Sequence, residues 1–228
     1  MTAVFLLWEV LQTRPFEPSN CGLNCAFPED FLKTHLGKPL KNIRISCQGT
    51  TVKGEAIVSS YGLEGNAIYP LSKIVRNALK QCQQVSVEVD LKPFNTELQL
   101  MQKVTPQTLP KNYAYLFKLN KTQMDFAKAH TDKETYLNAR MFAKALKKLT
   151  VPVQSLRSVE EAISTVGGID SEELSSNFSL KKIPNIYCVG EMFDWDTVTG
   201  GYLLQGCFSS AFTAAKAISN PTPNRSLN

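Results

Sequence analysis

Apolar positions recur along this chain in distinct rhythms, and each rhythm predicts a different element. Val85, Val87, Val89 and Leu91 alternate with Ser86, Glu88 and Asp90, the two-residue period of a half-buried strand. Leu40 to Cys47, with Ile43 and Ile45, and Val52 to Ser60, with Val52, Ala56 and Val58, predict two more strands. Gly49 and Thr50 suggest a turn between them, so a hairpin is expected. Leu71, Ile74, Val75, Ala78 and Leu79 return every three or four residues behind Pro70, the apolar face of an amphipathic helix. Further helices are predicted over 95–104 and 122–130. Another runs from about Lys133 to Leu149, with Tyr136, Leu137, Met141, Ala145 and Leu149 on one face and Pro152 marking its end. Glu29 to His35 predicts a helical turn ended by Gly37-Lys38-Pro39. Met1 to Gln12 suits a short helix or strand, and Arg14 to Gly22, with two prolines, reads as a turn-rich linker.

The pattern changes near Val153. Gly167-Gly168 predicts a flexible joint, and Ile186-Tyr187-Cys188-Val189 predicts a short, fully buried parallel strand. Gly190-Glu191 follow at once, then Asp194, Trp195 and Asp196. Thr199-Gly200-Gly201-Tyr202 then opens a helix reaching Ile218, with Gly206, Ser209, Ser210 and Ala214 on a small-residue side. Trp195 suits either a stack against a ring or a place in a core.

Composition narrows the function class. With 228 residues, 43% hydrophobic and 20% charged, the chain is an ordinary globular one. The net charge of +5 is mild. Lys144, Lys147 and Lys148 read as one solvated helix face, and a nucleic-acid patch would need more charge or interleaved aromatics, so nucleic acid is not expected. The six cysteines follow no export signal and are read as reduced thiols of a cytoplasmic protein. Cys188 and Cys207 are read as structural rather than as a redox pair. No apolar run approaches a membrane span, Cys21 and Cys25 lack further ligands at zinc-finger spacing, and Gly206-Cys207-Phe208-Ser209 does not match the hydrolase elbow G-x-S-x-G.

The remaining chemistry lies between Gly190 and Gln205. A carboxylate at a strand end, Glu191, can accept hydrogen bonds from ligand hydroxyls. A helix opening at Gly200-Gly201 offers unpaired N–H groups and a positive dipole end, and the glycines let a flat ring or a phosphate approach the backbone. A strand-loop-helix unit with a glycine-lined turn and no ligand fits the same residues, and the physics alone leaves both readings open.

Resemblance adds to this. Ala162-Ile163-Ser164-Thr165-Val166-Gly167-Gly168-Ile169, then Gly190-Glu191-Met192-Phe193-Asp194-Trp195-Asp196, then Thr199-Gly200-Gly201-Tyr202-Leu203-Leu204-Gln205 resembles the C-terminal signature of the YhiN/BaiN-like flavoproteins, often called aminoacetone-oxidase-family or NAD(P)/FAD-dependent oxidoreductases. Pro18-Ser19-Asn20-Cys21-Gly22-Leu23, Gly37-Lys38-Pro39-Leu40-Lys41-Asn42, Gly54-Glu55 and Gly62-Leu63-Glu64-Gly65-Asn66-Ala67-Ile68-Tyr69 resemble the family's inserted middle domain. The resemblance implies an α+β fold. Residues 1–157 would form the inserted mixed sheet and helix domain, and 158–218 the C-terminal strand-loop-helix piece of a Rossmann-like FAD-binding domain, with 219–228 a flexible tail. It implies FAD as cofactor, held at Gly190, Glu191, Asp194, Thr199, Gly200, Gly201, Tyr202 and Leu203, with NAD(P)H as electron donor and a small organic substrate. Family members also carry an N-terminal G-x-G-x-x-G unit that cradles the pyrophosphate, and no such motif is present here. The expectation is therefore a truncated flavoprotein, inactive alone, whose partner is a missing N-terminal FAD-binding domain in cis or from another chain. The alternative expectation is a non-catalytic basic binding module.

Overall fold

The computed structural model describes residues 10–81 and 84–220. The chain divides into two compact units: Asn20–Arg157, and the flanking segments, of which 10–19 and 158–220 are described. Met1 to Trp8, the greater part of the first predicted element, and the tail beyond residue 220 lie outside the described residues. In chain order, strand β1 (Thr13–Ser19) belongs to the flanking unit and is described with it.

The central unit is an antiparallel sheet dressed with helices. Its strands are β2 (Leu23–Asn24), β3 (Pro39–Cys47), β4 (Thr50–Ser59), β5 (Gly62–Glu64), β6 (Val85–Asp90), β7 (Leu149–Val153) and β8 (Ser155–Leu156), in the order β7-β6-β3-β4-β5-β2-β8. The predicted hairpin is β3–β4, with Cys47 opposite Thr50 across Gln48-Gly49, both at positive φ. A bulge interrupts that pairing between Leu40 and Ile43, and Asn42 there takes φ 54°. The alternation in β6 buries Val85, Val87 and Val89. Helix α1 (Glu29–His35) packs on β4, and α2 (Ser72–Gln81) packs on β6 and β8 behind the 3-10 turn Tyr69–Leu71.

Shorter helices close the layer: α3 (Glu97–Met101), α4 (Tyr113–Leu116), α5 (Lys121–Ala129), α6 (Lys133–Leu137) and α7 (Ala139–Ala145). Thr96 with Gln99 and Asn120 with Gln123 form reciprocal capping boxes that fix the starts of α3 and α5. The predicted single helix from Lys133 to Leu149 is three elements instead. The Asn138 side chain accepts hydrogen bonds from the Arg140 and Met141 N–H groups and so ends α6 and starts α7. Leu149 belongs to β7, where Pro152 sits on the sheet's edge strand, the place a residue without an N–H can occupy. Leu137 and Met141, assigned to the apolar face, are exposed.

The lysine face is corrected as well. Lys147 lies beyond the end of α7 and is mostly buried. Its ammonium donates to Asp90 Oδ2 at 2.7 Å and to the carbonyls of Lys92 and Asn95 at 2.7 and 2.6 Å. Only Lys144 and Lys148 face solvent, near Glu97 and Glu88. Both histidines of the chain lie in this unit. His35 is fully buried, with Nε2 at 2.8 Å from Asp125 Oδ2 and Nδ1 at 3.2 Å from Thr122 Oγ1, so it ties α1 to α5.

The flanking unit holds strand β1 against β9 (Ser164–Ile169), antiparallel, from Thr13 opposite Ile169 to Ser19 opposite Ser164. Two expectations fail here together. The proline-rich stretch is no linker, because a two-stranded ribbon is all edge, and Pro15 and Pro18 need no partner for an N–H they lack. Gly167-Gly168 is no joint but part of β9. A Cβ on Gly167 would overlap the Pro15 carbonyl, and both glycines have φ near 105°. Helix α8 (Gly201–Ser219) ends the described chain, within a residue of the predicted helix. No helix among the described residues is long and apolar enough to cross a membrane.

Candidate functional site

The segment expected to be a buried strand, Ile186 to Val189, is not one. Pro184 and Asn185 form a turn, with Asn185 at φ 64°, and Tyr187 makes a single antiparallel bridge to Ser179. Leu180 N–H donates to the Ile186 carbonyl, and Cys188 N–H donates to that of Phe178. These bonds bind the segment to the loop before it. A four-residue apolar run needs parallel neighbours on both sides to become a central strand, and the described part of this unit has none. Glu191 therefore stands on the 3-10 turn Gly190–Met192, exposed, rather than at a sheet edge.

The loop that follows is anchored at each step. Gly190, at φ 67°, donates its N–H to Ser210 Oγ at 3.0 Å and accepts from the Trp195 indole N–H at 3.0 Å. Trp195 is partly buried and packs within its own loop and against α8. It lies against Gly206, where a Cβ would overlap the indole, and stacks on Phe193 with centroids 6.0 Å apart. Gly206 is thus the position on the small-residue face of α8 where close approach is needed, and Ser210 and Ala214 on the same face are buried. Asp194 donates its backbone N–H to the Ile169 carbonyl at 2.7 Å. Its Oδ1 accepts from Gly167 N–H at 3.0 Å, and its Oδ2 pairs with Arg14 Nε at 3.0 Å. Both carboxylate oxygens are engaged, so Asp194 pins the loop to the β1–β9 ribbon. Arg14 also reaches Asp170 at 3.1 Å, and these two carboxylates hold its guanidinium above the ordinary range. Asp196 accepts from Ser19 Oγ at 2.7 Å.

Beyond this braced loop the start of α8 is open. Gly200 caps it at φ 84° and ψ −139° with no side-chain cap bond, and the first intrahelical bond runs from Leu204 N–H to Gly200. The N–H groups of Gly201, Tyr202 and Leu203 have no backbone acceptor in the first turn. Nothing lies within 4 Å of where a Cβ would stand on Gly200 or Gly201. Tyr202 is exposed, and Leu203 and Thr199 are partly buried. The eight predicted residues therefore fall into two groups. Gly190 and Asp194 build the brace, and Gly200 to Leu203 form the open helix start, with Thr199 joining the two and Glu191 free on the surface.

Sequence reasoning missed Arg14 and read Gly167 as part of a joint, whereas both hold Asp194 from the β1–β9 ribbon and so orient the loop. The doubled glycine in a strand-like context was the available signal. Among the described residues no cluster of His, Cys, Asp and Glu suits a metal ion. Cys21, Cys25, Cys47 and Cys188 are buried and Cys207 partly so, all as free thiols. Burial pushes Cys25 up to about 12, so it is inert as a nucleophile at neutral pH.

The described chain is thus α+β, with a glycine-opened helix start behind a braced loop. Residues 33–217 match the HI0933-like protein Rossmann domain family, and the chain belongs to that family, the YhiN/BaiN-like flavoproteins that its motifs resemble. It is 22% identical over 181 residues to the 3-dehydro-bile acid delta(4,6)-reductase of Clostridium scindens, a stretch covering 72% of this chain and 44% of that protein. It is 42% identical over 53 residues to the ribosomal RNA dihydrouridine synthase of Escherichia coli, covering 23% of this chain and 13% of that protein. The chain spans less than half the length of these curated relatives.

Proposed function

We propose that this chain is part of an FAD-dependent reductase that takes electrons from NAD(P)H and saturates a carbon–carbon double bond conjugated with a carbonyl group. The observation that carries the reading is the open start of α8, with three unpaired N–H donors and two glycines that leave the approach clear. These residues fit a flavin. A planar ring can rest on Gly200 and Gly201, and the N–H groups of Gly201, Tyr202 and Leu203 can donate to the ring edge that gains negative charge on reduction. A helix dipole adds about 0.3–1 kcal/mol to an anion at such an exposed start. Glu191 would be the residue to accept from a ribityl hydroxyl, while Asp194, through Gly167 and Arg14, holds the loop in register. When bound, the flavin supplies hydride transfer, which no amino-acid side chain provides.

The names of both relatives support the bond chemistry. A delta(4,6)-reductase of a 3-dehydro bile acid and a dihydrouridine synthase each add two hydrogens across a double bond in conjugation with a carbonyl. A grip on the cofactor's pyrophosphate must come from further polypeptide, in cis or from another chain. Leu204, Phe208 and Phe212 form an exposed apolar stripe, four residues apart along α8, suited to being covered by it.

The protein is tested by co-production with a domain carrying a glycine-rich βαβ unit. A yellow complex bleached by NAD(P)H and reoxidised by an α,β-unsaturated ketone is expected, and Gly201→Val should weaken FAD binding at least about tenfold by blocking ring approach. A colourless complex, or a Gly201→Val variant that holds flavin unchanged, would sink the reading.

A further inference from the structure

We draw no further inference here: the strongest candidate, the exposed apolar face of α8 formed by Leu204, Phe208 and Phe212, carries nothing beyond the proposed function, because nothing among the described residues shows what covers it.

Discussion

The two units are stabilised in different ways. Among its described residues the central unit buries 33 hydrophobic residues in one cluster, including a stacked Tyr113–Phe142 pair with centroids 4.5 Å apart and a group of aromatics around His130. Among its described residues the flanking unit clusters only four buried hydrophobic residues, Leu11, Leu174, Leu180 and Cys188, and leaves Leu204, Phe208 and Phe212 exposed. It is held instead by polar braces: Arg14 between Asp170 and Asp194, Lys182 on Glu173 at 2.7 Å, and Ser210 on Gly190. A dense apolar core makes a rigid platform, whereas exposed braces contribute little stability each and let a surface be reshaped by what binds it. The candidate cofactor site lies on the braced unit.

That contrast can be broken most directly in the interior. Phe142→Ala should cost about 3–5 kcal/mol and collapse the central unit's transition in chemical denaturation. Phe208→Ala, the same truncation on the exposed stripe, should change stability by less than about 0.5 kcal/mol. Equal effects would mean the two apolar populations are not distinct. Smaller is the effect of Gly206→Val, which forces the Trp195 indole aside at a cost of about 1–3 kcal/mol. It should alter indole fluorescence while leaving the tyrosine near-ultraviolet signal of the central unit unchanged, and a change in both would couple the units.

The subtlest contrast is in pH. Burial lowers the pKa of His130, so the folded central unit keeps that ring neutral. Its stability is complete above the unfolded value near 6.5 and declines as pH falls through the lowered folded value. Glu173, lowered chiefly by the Lys182 hydrogen bond, and Asp170, lowered chiefly by the Glu172 N–H and then by Arg14, act in the same direction at lower pH. Their contribution is complete above about 4.5 and lost below it. Acid titration should therefore perturb tyrosine signals before Trp195 emission, and His130→Phe should remove the earlier phase.

Legibility followed the same division. The strands β3, β4 and β6 and the helix α2 declare themselves because a large core enforces a strict period on them. Where short side-chain caps compete with periodicity, the pattern misleads. Asn138 divided a helix whose apolar spacing looked continuous, because one amide satisfying two N–H groups outweighs an apolar face that faces water. Pro15, Pro18 and Gly167-Gly168 looked like breakers because their strand character depends on pairing across some 150 residues. The helix start at Gly200 was readable from its glycines. The loop's brace was not, since Arg14 and Asp194 meet only in space.

The pairing of Thr13 with Ile169 bears on biogenesis. During translation every residue of the central unit has been synthesised by Arg157, and it can fold while the ribosome continues. The ribbon must wait for its second half, with its first half unpaired until Ile169 has been made. Early folding of the centre shortens the effective loop that must close, so a variant that delays the centre should slow assembly of the ribbon far more than its own stability would suggest.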